Sequence, residues 1–381
     1  SGVLVLGSYG FGHEPDVRAQ QDDPKPEVSI VDGHVDVQIA LLLDTSNSMD
    51  GLINQARTQL WRIVNEFSKS KRDGRIPTIQ VALFEYGNDT ISSGEGHVRM
   101  VLPFTNDLDR VSEALFALKT NGGSEYCGRV IRDASDGLRW NTDSKTYKTI
   151  FIAGNEPFTQ GEVQYQEAIA AVRGKGVRVN TIHCGPNDDG ITGMWKDAAN
   201  LGRGEYLYIN QDRVEVAIAT PCDDALLKLN ERLNRTYVPY GRFGDEGKMR
   251  QTAQDSNATE AAPQVAAERA ATKAGPGYMN SSWDLVDAVT QNTVKLEEVD
   301  RAQLPADLKD LPLDDLQTAL DGFAKERAEI QAEMGKLSAE REAFIEKAQA
   351  EQAENGEETF DSAAVKVVKE QMKEEGFEVS E

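Results

Sequence analysis

No run of about 18 apolar residues occurs anywhere in the chain, so nothing in it can span a bilayer as a single helix. Cysteine is scarce. Cys127, Cys184 and Cys222 are the only three among 381 residues, which excludes a disulfide-rich scaffold and leaves room for one bridge at most. The four histidines, His13, His34, His97 and His183, show no spacing suited to zinc. Positive charge is also short: 41 Lys and Arg against 64 Asp and Glu give a formal net charge of −23, with no basic patch. Nucleic acid and anionic membranes would be repelled, and neither is expected as a partner. No Gly-Lys-Ser/Thr follows Asn121-Gly122-Gly123, so that turn is not a phosphate cradle.

Against those absences stand 39% hydrophobic and 28% charged residues, enough for one sizeable α/β core and a second element. Residues 35–43 begin with alternation and end in Ile39-Ala40-Leu41-Leu42-Leu43, the continuous apolar run of a central parallel strand covered on both faces. Leu52, Ile53, Ala56, Leu60, Ile63, Val64 and Phe67 then recur at three and four residues, one face of a helix. The alternation continues, with strands over 79–84, 98–104, 149–153, 177–183 and 206–209 and helices over 108–118, 130–140, 165–172 and 194–201. These six strands predict an α/β fold: a doubly wound, mainly parallel six-stranded sheet with right-handed crossovers placing helices on both faces. Ligands on such sheets sit outside the carboxyl ends of the strands, where the strand order reverses. Asp44 lies at such an end.

Composition divides the chain into four segments. Residues 1–33 read as a signal remnant and linker: Val3-Leu4-Val5-Leu6 is a short apolar run, and Val17-Arg18-Ala19 resembles the small-x-small pattern ahead of a signal-peptidase cut. That implies a secreted or periplasmic protein. Residues 34–227 hold the α/β domain. Residues 228–312 form a helical or irregular connection, broken by Gly275-Pro276-Gly277. Residues 313–381 hold a long helix and an acidic tail, with a short helix over 363–372. In the long helix Leu316, Phe323, Ile330, Leu337 and Phe344 share one heptad position, while Leu313, Leu320, Arg327, Met334 and Arg341 form a second seam that two arginines interrupt. The stripe suits either a hairpin within the chain or self-association as a coiled coil.

Asp44, Ser46 and Ser48 place one carboxylate and two hydroxyls at alternate positions directly after a buried strand. Hard cations such as Mg²⁺ take oxygen ligands at about 2.0–2.1 Å and keep several waters, and a strand-end loop can turn three oxygens toward one point. The competing explanation is a polar loop that merely caps the next helix. The position after Leu41-Leu42-Leu43 and before an amphipathic helix favours the metal.

Asp44-Thr45-Ser46-Asn47-Ser48 resembles the D-x-S-x-S element of the metal-ion-dependent adhesion site in von Willebrand factor A and integrin I-type domains. The likeness runs over about residues 35–227. It takes in Gly122-Gly123-Ser124-Glu125, similar to the family's G-G-T-D loop, and Met194-Trp195-Lys196-Asp197-Ala198-Ala199, similar to its late short helix. The resemblance implies a non-catalytic, divalent-cation-dependent binding module for adhesion or complex assembly. It implies Mg²⁺, with Mn²⁺ or Ca²⁺ as alternatives, and a protein partner that offers an Asp or Glu carboxylate to the cation. Ser124 takes the place of a family Thr. Where the family carries an Asp after its fourth strand, this chain has Gly154, within Thr149-Ile150-Phe151-Ile152-Ala153-Gly154-Asn155-Glu156. Glu125, Asn155 or Glu156 is left to replace that carboxylate, directly or through water, and Gly154→Asp is expected to tighten the cation if the alignment holds and Gly154 is free of strain.

Cys127 follows the Ser124 loop and Cys184 follows the strand over 177–183, so a bridge between them would brace the metal loops if the two frames met within roughly 7 Å. Three free buried thiols are the alternative. His183 is either a further metal ligand or a structural histidine at the end of a buried strand. Two other functions compete: a scaffold with a degenerate metal site that assembles through its C-terminal helices, and a metal-assisted hydrolase. The hydrolase is disfavoured because no His or Lys stands near the Asp44 loop in sequence to act as a general base.

Overall fold

The apolar runs assemble into one sheet. The structure, a computed structural model, describes residues 35–50, 52–209, 218–354 and 360–379; the expected signal remnant lies outside them. The α/β part comprises β1 (Val37–Asp44), α1 (Ile53–Lys69), β2 (Lys71–Arg72), β3 (Ile79–Tyr86), β4 (Val98–Thr105), α2 (Leu108–Ala117), α3 (Cys127–Gly137), β5 (Tyr147–Gly154), α4 (Tyr165–Gly174), β6 (Val177–Cys184), α5 (Asn187–Thr192), α6 (Trp195–Leu201) and β7 (Arg203–Ile209). The helical part comprises α7 (Asp223–Asn234), α8 (Gly244–Ala261), α9 (Pro263–Ala274), α10 (Leu285–Thr290), α11 (Leu313–Glu354) and α12 (Phe360–Glu374), closed by β8 (Phe377–Glu378).

Six strands line up as β4-β3-β1-β5-β6-β7, all parallel except β4, which runs against β3. This is the doubly wound, mainly parallel sheet that the sequence predicts. β1 is central because every one of its eight residues is buried. Val37, Ile39, Leu41 and Leu43 face one core, and Ala40 and Leu42 face the other. From β1 the chain runs outward through β3 and β4 on one side and through β5, β6 and β7 on the other. Strand order therefore reverses beside the carboxyl end of β1, which is where a doubly wound sheet opens a crevice.

The Ala40 and Leu42 face is covered by Val130 and Ile131 of α3, Ile169 and Val172 of α4, and Trp195 of α6. The opposite face receives Leu60 and Phe67 of α1 and Val111 and Leu115 of α2. The same core continues into Leu226 and Leu233 of α7, Ala267 of α9, Met334 of α11 and Met372 of α12. Both seams of α11 are used inside the chain. Leu316, Leu320, Ile330 and Met334 are buried, whereas Phe344 is exposed. The two arginines that interrupt one seam are anchors: Arg327 pairs with Asp284 at 2.7 Å and Asp287 at 2.5 Å, and Arg341 pairs with Asp223 at 3.0 Å. Among the described residues no helix is long and apolar enough to cross a membrane.

Candidate metal centre

β1 delivers Asp44 to the crevice, and its carboxylate is fully buried there. Asp44 Oδ1 accepts the Ser46 backbone N–H at 2.8 Å, which folds the loop back over the strand end, while Oδ2 is buried without a hydrogen-bond partner. The Ser46 and Ser48 hydroxyls lie 2.8 Å apart, and Ser48 Oγ donates to Asn155 Oδ1 at 3.0 Å. Thr45 turns the other way and holds the loop: its backbone N–H donates to Tyr86 O at 2.9 Å, and Asn88 Nδ2 donates to its hydroxyl at 3.1 Å.

A cleft of 380 Å³ opens beside this loop, with Ser46, Ser48, Ser124, Glu125, Glu156 and Gln160 in its walls. Gln160 ties two of those walls together, accepting from the Glu125 backbone N–H at 3.3 Å and donating to Glu156 Oε2 at 3.2 Å. Burial pushes the Asp44 carboxyl up to about 8, with Glu125 adding to the rise and the hydrogen bonds from Ser46 opposing it. Burial also raises Glu125, against the Ser46 hydroxyl and with Glu156 and Asp89 adding to the rise. The structure thus brings Ser46, Ser48, Ser124, Glu125 and Glu156 around one cleft, with Asp44 joined to it through the Ser46 backbone N–H and Asn155 through the Ser48 hydroxyl.

A hard cation fits this donor set. An orphaned buried carboxylate oxygen, two hydroxyls in mutual contact and a side-chain carbonyl are oxygen donors of the kind Mg²⁺ takes, and the open cleft leaves space for water. Charge is sparse: among the described residues no three His, Cys, Asp or Glu side chains gather as a metal cage.

The structure favours one alternative at each of two positions. Cys127 and Cys184 are free, not bridged, and both are buried. Cys127 packs in the core on the Leu42 face of the sheet, Cys184 in the core on the Leu41 face, so the sheet itself separates them. Nor has Gly154 room for a carboxylate. A Cβ there would lie 2.4 Å from Tyr86 Oη and 3.1 Å from Asp44 Cβ, so Gly154→Asp strains the site instead of completing it. The Tyr86 hydroxyl fills that space and donates to Ala153 O at 3.0 Å.

Sequence reasoning missed several supports. Gly87, with φ +74°, carries the chain past Asp44 so closely that a Cβ would meet Asp44 Oδ1 at 2.7 Å. Trp195 Nε1 donates to Glu156 O at 2.9 Å and fixes that wall. Gly87 follows a strand and is legible as a turn glycine; nothing in the sequence marks Gln160 or Trp195 for these tasks.

Residues 38–194 match the model of the von Willebrand factor type A domain. The chain carries such a domain. Domains of this family are commonly protein-interaction modules and generally non-catalytic. No curated protein matches the chain. Among solved structures it is similar to the conserved hypothetical protein BatB from Bacteroides thetaiotaomicron, at 18% identity over 46% of this chain and 90% of that one, with a TM-score of 0.36. It is also similar to an aerotolerance-related membrane protein from Bacteroides fragilis with multiple mutations to serines, at 16% identity, 46% and 92% coverage and a TM-score of 0.33. A third is proximal thread matrix protein 1 from the mussel byssus with a zinc-occupied metal-ion-dependent adhesion site motif, at 13% identity, 49% and 44% coverage and a TM-score of 0.35.

Proposed function

We propose that the von Willebrand factor type A domain of this chain is an extracytoplasmic, divalent-cation-dependent protein-binding module. Asp44, Ser46 and Ser48 would hold Mg²⁺, with Mn²⁺ and Ca²⁺ as alternatives, and Ser124, Glu125, Asn155 and Glu156 would close the shell directly or through water. When bound, the cation supplies an open coordination position for an Asp or Glu carboxylate of a protein partner. The observation that carries this reading is Asp44: a fully buried carboxylate with one oxygen unpartnered, beside two hydroxyls and an open cleft. A buried charge without compensation is costly, and a cation removes the cost. We assign residues 34–227 to the binding domain and the helices beyond it to support.

Calorimetric titration of the full chain with Mg²⁺, Mn²⁺ and Ca²⁺ tests it. Wild type should bind one cation, Ser46→Ala and Ser48→Ala should bind more weakly, and Asp44→Ala should not bind. Cation affinity that survives Asp44→Ala unchanged would remove the assignment.

A further inference from the structure

Outside the cleft, one buried polar side chain has no part in anything described above. His183, the penultimate residue of β6, is 2% exposed, and neither ring nitrogen has a hydrogen-bond partner among the described residues. Its ring lies against Trp195, with centroids 5.6 Å apart. α5 closes over it so tightly that a Cβ on Gly190 would fall 2.8 Å from the ring and 2.1 Å from the Tyr206 hydroxyl. A neutral imidazole is tolerated in such a place at the cost of two unmade hydrogen bonds. An imidazolium would put a full charge and two unpaired donors there.

Little around the ring compensates that charge. α5 carries Asp188 and Asp189, of which Asp189 favours the charged ring, yet burial outweighs it and lowers the His183 pKa from its ordinary 6.5. β7 presents the Tyr206 hydroxyl, already donating to Asn187 O at 3.0 Å, and Tyr208, the register partner of His183. β5 presents Gly154, which has no side chain. On α6, Asp197 accepts from the Tyr165 hydroxyl at 2.7 Å.

The segment above His183 is wired to the cleft. Gly193 N donates to Asp189 O at 2.7 Å, Gly193 O accepts from Phe158 N at 2.8 Å, and Trp195 Nε1 holds Glu156 O. Met194 between them has φ +70°, a conformation that non-glycine residues seldom adopt, so the corner is held against local backbone preference.

We infer that His183 is a proton-operated switch: its protonation opens the corner formed by α5 and α6 and slackens the Glu156–Phe158 wall of the cleft. Opening gives the imidazolium the water it lacks when closed. Because the closed ring binds its proton more weakly than an exposed one, opening is favoured as pH falls below 6.5 and suppressed above it. At pH 5.5, one unit below that value, the opening constant rises by about tenfold for a closed form that keeps the ring neutral. Weaker cation retention would follow, and that last step alone rests on the function proposed above.

Amide hydrogen exchange on the full chain, corrected for intrinsic rates, tests the switch at Gly193 and Phe158. Between pH 7 and 5.5 protection should fall about tenfold in wild type and stay level in His183→Phe. No fall in wild type, or an equal fall in the variant, overturns it. Where His183→Phe does not fold, the wild-type imidazole NMR shift decides instead: a ring that protonates at its ordinary pKa while both amides stay protected refutes the switch. A parallel Mg²⁺ titration separates the two claims, since absence of binding at pH 7 defeats the cation reading and leaves the exchange result standing.

Discussion

Gly154 decides which carboxylates the cleft can hold, and replacing it measures that constraint. A Cβ at this position would meet Tyr86 Oη at 2.4 Å, Asp44 Cβ at 3.1 Å and the Trp195 ring edge at 3.1 Å. Tyr86 is fully buried and its hydroxyl is held by Ala153 O, so it cannot swing aside without leaving a buried donor unpaired. Overpacking of this kind costs about 1–3 kcal/mol, and an orphaned hydroxyl costs a further ~1–3 kcal/mol. Lower unfolded-state entropy returns about 0.4–1 kcal/mol when Gly becomes Ala. Gly154→Ala is therefore expected to lose about 1–6 kcal/mol, read as a drop in the urea midpoint at constant m. Gly154→Asp should lose more, because its carboxyl enters beside Asp44, whose own ionisation burial already opposes. Tyr86→Phe removes the oxygen that a new Cβ would strike, at a cost of about 0.5–1.5 kcal/mol for the lost bond. The double variant should be less destabilised than the sum of the two singles, by a coupling of about 0.5–3 kcal/mol. A Gly154→Asp protein as stable as wild type and tighter for Mg²⁺, or a strictly additive cycle, would refute the steric account.

Other features give further expectations. Arg327→Met leaves Asp284 and Asp287 buried without their cation and should lower stability by about 3–5 kcal/mol, checked by thermal unfolding; an unchanged midpoint would show that the pair is not needed. Burial raises the Asp255 carboxyl, but Lys273 at 2.7 Å and Arg269 at 2.6 Å outweigh it and hold its pKa below the ordinary 3.8. A lowered folded pKa means that this contribution is full above pH 3.8 and fades as pH falls toward the folded value, so Asp255→Asn should flatten the acid limb of a stability–pH curve. The same acid limb in the variant would argue otherwise. A chain ended at Leu227 keeps every strand of the six-stranded sheet but strips Leu233, Ala267, Met334, Val368 and Met372 from the core. It should aggregate, and a monomeric fragment that unfolds cooperatively would show the helices to be dispensable.

The sheet was legible because its strands are buried on both faces and so leave continuous apolar runs, Leu41-Leu42-Leu43 above all. The metal loop was legible for a related reason: polar oxygens directly after such a run stand out. What failed was anything that depends on which face a side chain takes at the end of a strand. Cys127 and Cys184 share the ligand-bearing edge, yet Cys127 opens α3, which packs on the Leu42 face, while Cys184 ends β6 with its thiol in the core on the Leu41 face. The Gly154 position reads as a lost carboxylate in one dimension, and only the Asp44–Tyr86 pairing across β1 and β3 reveals the hydroxyl that fills its place.

The helical half was hidden by a different cause, namely that its interior is partly polar. α8 shows no apolar periodicity because its inward side chains include Gln251 and Gln254, with Gln254 accepting from Ser112 of α2 at 3.0 Å. α9 turns Arg269 and Lys273 inward, and Arg269 reaches Asp109 of α2 at 2.8 Å. α12 inserts Gln371, which donates to Asn180 Oδ1 at 2.7 Å and accepts from the Tyr147 hydroxyl at 2.8 Å. Patterns that search for apolar faces pass over such contacts, because a buried ion pair or amide reads as solvent-facing in sequence. Hydrogen-bonded polar contacts also fix one orientation where apolar ones tolerate several: a Leu can slide along a groove, whereas Gln371 is satisfied only where its donor and acceptor both meet Asn180. On that argument the C-terminal helices dock in one register on the sheet that carries Asp44, and the charge that keeps the rest of this acidic chain in water is, at Asp109, Asp255 and Asp284, what holds them there.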